Sequence, residues 1–135
     1  MYRGDPRDKT VYDVRDEIKE HLQGQVNRVY TASTMLGAIK NYIHNQLDNA
    51  VACKCSIKVH EATTDIWIDD SMGRVPGILT TVIIKLQWDG DIITSQACAE
   101  SPYEHVEGGR EIARKDALHW LFPVEYSEEL EKTAE

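Results

Sequence analysis

Leu79-Thr80-Thr81-Val82-Ile83-Ile84-Lys85-Leu86-Gln87-Trp88-Asp89-Gly90-Asp91-Ile92-Ile93 is the stretch that decides the fold. Val82, Ile84, Leu86 and Trp88 recur at every second position, the period of a strand with one buried face. Asp89-Gly90 follows at once, a pair suited to the two-residue turn of a β-hairpin. The spacing predicts a strand over 79–88 and a returning antiparallel strand over 91–99.

Upstream, residues 51–60 alternate in the same way. Val51, Cys53, Cys55, Ile57 and Val59 face one side; Ala52, Lys54, Ser56, Lys58 and His60 face the other. This predicts a half-buried strand, which Ala62–Ile68 either prolongs or follows with a short extra strand. Asp69, Asp70, Gly73, Pro76 and Gly77 mark 69–77 as a loop.

Helical periods flank the strands. Val11, Val14, Ile18 and Leu22 predict a helix over 10–23, closed by Gly24 and packing on the domain or on a second subunit. Leu36, Ile39, Ile43 and Leu47, with Met35 and Tyr42 beside them, predict another over 33–48, capped by Ser33 or Thr34. After a loop over 101–109, a final helix is expected over 110–122, stopped by Pro123, with Ala113, Ala117, Trp120 and Leu121 on its buried arc. The expected class is α+β, a three-stranded antiparallel sheet packed by helices in the order α-α-β-β-β-α. An uncovered sheet face carrying Lys54, Lys58, Ile83, Lys85 and Ile93 would suit an interface.

The 135 residues suffice for one domain with its own core. Residues 1–24 read as an N-terminal helix or arm, 25–123 as the core and 124–135 as an acidic tail. The net charge is −8, from 15 basic and 23 acidic residues, and the last twelve residues hold five Glu and one Lys. Such a chain is a poor general polyanion binder, although a local basic patch can hold a small anion. Neither a signal peptide nor a membrane-spanning run is apparent, and three cysteines fit a reducing cytoplasm better than a disulfide framework.

Against this acidic background, Glu107-Gly108-Gly109-Arg110-Glu111-Ile112-Ala113-Arg114-Lys115 stands out. Gly108-Gly109 would lead into the last helix, and Arg110 and Arg114 follow one turn apart beside the apolar arc. Guanidinium groups near a helix N-terminus suit an anion. Two arginines beside a buried stripe need a partner. A ligand phosphate is one candidate; a salt bridge to Glu104, Glu107 or an acid of another subunit is the alternative.

A nucleotide also needs a stacking surface. Tyr103, His105, Trp88 and Trp67 are the aromatic candidates, and Tyr103 is the first choice because it lies closest to the arginines in sequence. Cys53, Cys55 and Cys98 have the wrong spacing for a zinc site. Cys53 and Cys55 are expected as core thiols. Asp65, Asp69, Asp70 and Gly73 lack the ligand order of a calcium loop. No catalytic set, cofactor motif or metal site emerges, so an enzyme is not expected.

The element order over residues 33–122 resembles the double-stranded-RNA-binding-domain-like fold group. Gly108-Gly109-Arg110, Ala113-Arg114-Lys115 and Ala117-Leu118 carry the likeness. Asp116-Ala117-Leu118 resembles Rad52-type annealing proteins of the wider group, with His119-Trp120 where those continue in basic residues. The paired Arg110 and Arg114 on a late helix also resemble phage anti-Thoeris proteins of the first Thoeris-anti-defence type. Those are oligomeric sponges that hold a cyclic ADP-ribose isomer without cleaving it.

This last resemblance implies a viral anti-defence protein acting in the host cytoplasm. Arg110 and Arg114 would bind phosphates with the backbone at Gly108 and Gly109, and Tyr103 and Trp88 would stack on adenine. The implied partners are a small anionic nucleotide and further copies of the chain. The alternatives are a nucleic-acid-binding domain, which the acidic charge disfavours, and an acidic protein that inhibits a host factor through its tail and sheet face.

Overall fold

At the Asp89-Gly90 turn both residues adopt positive φ, 48° and 93°, as a two-residue turn between twisted antiparallel strands requires. The computed structural model describes residues 9–23, 31–45, 55–71 and 73–123. Around the turn lies one three-stranded antiparallel sheet in the order β1 (Cys55–Asp70), β2 (Gly73–Trp88), β3 (Asp91–Pro102). The predicted sheet and its place in the element order are therefore present. Cys53 and Lys54 lie outside the described residues.

The strands are longer than expected. Residues 69–77 do not form a loop: β1 continues to Asp70 and β2 starts at Gly73, in one long hairpin turning at Ser71. β-branched Thr63, Thr64, Ile66, Ile68 and Val75 outweigh the turn-forming residues among them. Pro76 is tolerated because β3 ends at Pro102, opposite Gly77, so β2 is an edge at that point. Gly77 is required there: an added Cβ would meet the Ser101 carbonyl oxygen at 2.7 Å and would also collide with the Ile68 side chain.

Among the described residues three helices cover one face: α1 (Val11–Gln23), α2 (Ala32–Asn45) and α3 (Val106–Leu121). Thr10 and Asp13 form a reciprocal cap at α1. The Asp13 amide donates to the Thr10 hydroxyl at 3.2 Å, and the Thr10 amide donates to the Asp13 carboxylate at 2.8 Å. Thr31, rather than Ser33 or Thr34, caps α2, accepting from the Thr34 amide at 3.2 Å. The predicted α2 residues 46–48 lie outside the described residues.

α1 is part of the core rather than an arm. Its Val11, Val14, Ile18 and Leu22 are buried with Met35, Leu36, Ile39 and Ile43 of α2, Val82, Ile84, Leu86 and Trp88 of β2, and Ala113, Ala117, Leu118 and Leu121 of α3. Ile93 also packs against this core, so the open-face residue at that end of β3 is Ile92. Trp120, expected on the buried arc, is 72% exposed, because Leu118 and Leu121 carry the last turn's burial instead. Among the described residues no helix is long and apolar enough to cross a membrane.

Candidate functional site

α3 begins at Val106, four residues before Arg110, and is preceded by a short 3-10 turn over Tyr103–His105. The expected loop over 101–109 is thus strand, turn and helix. Gly108-Gly109 lies within the first helical turns rather than ahead of the helix. Gly109 is buried, and a Cβ there would meet the Ser101 Cβ at 2.8 Å. This glycine brings helix and strand together, while nothing lies within 4 Å of a Cβ built on Gly108.

On β1, Cys55, Ile57 and Val59 face the helices, and the two-residue period places Glu61 on that same face. α3 directs both arginines at it. The Arg114 guanidinium grips Glu61 with two hydrogen bonds, Nε to Oε1 at 2.6 Å and Nη2 to Oε2 at 2.9 Å. The Arg110 Nε lies 3.7 Å from the same Oε2, and its Nη1 reaches Glu107 at 3.1 Å. Of the partners expected from the sequence, Glu107 pairs with Arg110, while Glu61, which both arginines share, carried no expectation.

The network continues into α2. Arg114 Nη1 donates to the Ser33 hydroxyl at 2.6 Å and to Glu111 at 3.5 Å. Glu111 accepts from the amides of Ala32 and Ser33, so a carboxylate of one helix caps the N-terminus of another. Glu111 is therefore a structural joint. Its charge complements the start of α2, which has no acidic residue in its first turn. Arg114 hydrogen-bonds to Glu61, Ser33 and Glu111, whereas the Nε of Arg110 is buried without a hydrogen-bond partner among the described residues.

These contacts set the electrostatics. The hydrogen bonds from Arg114 hold the Glu61 carboxyl below its ordinary range against the opposing effect of burial, with the charges of Arg114 and Arg110 adding to them. The same hydrogen bonds raise Arg114. Both side chains stay charged, and the cluster is an anion-binding geometry whose present anion is a protein carboxylate.

Along β1 from Glu61, the same face carries Thr63, Asp65 and Trp67. The Tyr103 hydroxyl donates to Asp65 at 2.9 Å, and this bond raises the phenol above its ordinary range. Asp65 is four residues from Glu61, about 13 Å along an extended strand. Tyr103 is 52% exposed and Trp67 is 63% exposed. Trp88 is a different case. It is 2% exposed, and its indole N–H donates to the Lys9 carbonyl, so its ring is core and presents no face for stacking. The exposed tryptophan in line with the arginines is Trp67.

Cys55 is buried, and burial pushes its thiol up to about 11, as expected of a core thiol. Comparison of the chain with protein-family models, curated proteins and solved structures finds no match.

Proposed function

We propose that the protein is a non-catalytic binder of a small anionic nucleotide, acting in the cytoplasm. Its phosphate site is the Arg110–Arg114 pair at Glu61, and Tyr103 is the stacking ring. The observation that carries this reading is the Arg110 guanidinium. It stands beside a second guanidinium with its Nε buried and unbonded, a donor group that an oxyanion would satisfy. Glu61 stands where a phosphate would bind, and the bound phosphate displaces it from Arg110.

The anti-Thoeris resemblance supplies the ligand class, a cyclic ADP-ribose isomer held intact by a self-associating sponge. Trp67, on the same face as Glu61 and Asp65, replaces Trp88 as the second aromatic candidate. The nucleic-acid alternative is weaker, because α3 carries three acidic and three basic residues and offers no positive stripe to a polyanion.

Two substitutions with opposite expected signs test the reading by calorimetric titration with cyclic ADP-ribose isomers. Arg110→Ala removes the free donor and should weaken binding about 10- to 100-fold. Glu61→Gln removes the competing carboxylate and should tighten it. If both variants bind as the parent chain does, the cluster is only a structural salt bridge.

A further inference from the structure

We infer that β1 is the docking edge for an extended segment of another protein, which adds to the sheet as a fourth strand along Ala62–Asp70 and alternates basic and aliphatic side chains. This inference does not rest on the nucleotide reading. It concerns the backbone edge of the sheet beyond the arginine cluster.

The strand order makes β1 and β3 the two edges. β1 is 16 residues long and pairs with β2 residue for residue from Cys55 to Asp70, without a bulge. At alternate positions its backbone donors and acceptors turn away from β2, and among the described residues no strand pairs with them. Proteins ordinarily blunt such an edge with lysine, proline or a bulge. Ala62-Thr63-Thr64-Asp65-Ile66-Trp67-Ile68-Asp69-Asp70 has none of these, lacks glycine and is rich in β-branched residues. All of it is exposed except Ile66 and Ile68, which are half-buried. β3, the other edge, is shorter at 12 residues and ends in Pro102.

This part of β1 also has the least support from its neighbours. Beyond the Gly77–Pro102 pairing, β1 and β2 continue without β3 as a two-stranded ribbon to Asp70 and Gly73. Such a ribbon is marginally stable alone. A strand added to β1 gives it the width that β3 gives the rest of the sheet.

The two faces of the edge select the partner. Asp65, Trp67 and Asp69 point to the helix side, where Trp67 is 63% exposed. A lysine or arginine on a neighbouring strand can lay its stem on the indole while its charge meets the carboxylates. Asp69 remains open to such a partner: its side chain is 90% exposed, and its 3.4 Å pairing with Arg74 lies at the surface. Thr64, Ile66 and Ile68 point to the uncovered side and suit aliphatic residues at the alternate positions. A second copy of this chain in that place would line up Asp65, Asp69 and Asp70 of both chains along one seam. Charge therefore selects a foreign, basic segment.

Titration of the full chain with a synthetic peptide of alternating lysine and valine, combined with amide hydrogen exchange, tests this. The peptide should bind more tightly than about 1 mM at low salt. It should also slow exchange within residues 62–70, because the outward amides gain acceptors. A peptide of the same composition with its lysines in one block has equal charge but no alternation, and should bind at least about tenfold more weakly. Asp69→Lys, at an exposed position, should weaken the alternating peptide at least about tenfold while the circular dichroism melt stays cooperative. Absence of binding overturns the proposal, as does equal binding of the two peptides. Binding that leaves exchange within 62–70 unchanged, or that Asp69→Lys does not weaken, overturns it as well.

Discussion

Glu61 is one carboxylate shared by two cations, and its chemistry gives a pH signature. Its pKa is lower in the folded chain than in the unfolded one. The stability it contributes is therefore present above the unfolded value, about 4.3, and is lost as pH falls through the folded value. Glu61→Gln should be less stable near neutrality by about 1–2 kcal/mol, between an exposed and a fully buried pair. The two chains should converge in acid. Thermal unfolding from about pH 7 to about pH 3 checks this; parallel curves would show that Glu61 contributes nothing through its charge.

The arginine pair was legible because Arg110 and Arg114 fall one turn apart at the edge of an apolar arc. Glu107, three residues before Arg110, was legible too, but the shared partner was not, since 49 and 53 residues separate Glu61 from the arginines and no local pattern spans that gap. One signal was available. Extending the alternation of Cys55, Ile57 and Val59 by one step puts a carboxylate on the buried face, where a charge needs a counter-charge. Trp88 misled because its place beside the hairpin turn suggested the rim, although its alternation with Val82, Ile84 and Leu86 already put it on the buried face.

Among the elements, the two neighbouring glycines of α3 should respond in opposite ways. Gly109→Val drives two methyl groups toward Ser101 and should cost about 1–3 kcal/mol by overpacking. Gly108→Ala meets nothing within 4 Å and should stabilise the helix by about 0.5 kcal/mol. Urea unfolding of both variants measures this, and equal effects would contradict the close approach of α3 to β3. At the hairpin, Gly90→Val places a β-branched residue at a φ of 93° and should cost at least about 1 kcal/mol, read from the same urea midpoint.

The positions of the glycines also explain where element boundaries were misread. Gly108-Gly109 suggested a helix start, yet the helix already runs from Val106, and the buried Gly109 serves packing with Ser101. Gly73, Pro76 and Gly77 suggested a loop, yet Gly73 takes a φ of 119° at the head of β2 and Gly77 makes room for Ile68. Turn-prone residues mark both turns and close contacts, and sequence alone does not separate the two. The apolar periods of α1, α2 and β2 were legible because burial of one face imposes them directly.

For the whole molecule, the sheet separates two surfaces. The helix-covered side carries the arginine cluster at one edge, with Tyr103 and Trp67 in line beyond it. The uncovered side mixes charged and polar residues, Lys58, Thr81 and Lys85 among them, with Ile66, Leu79 and Ile83.

The most direct test of the anion site is to incubate the purified full chain with a cyclic ADP-ribose isomer, remove free ligand, denature by heat and identify what is released by mass spectrometry. Intact nucleotide in amounts approaching one per chain, and its loss from Arg110→Ala, is the expected result. Release of nothing from a folded chain, or equal release from Arg110→Ala, would contradict a nucleotide site at this cluster.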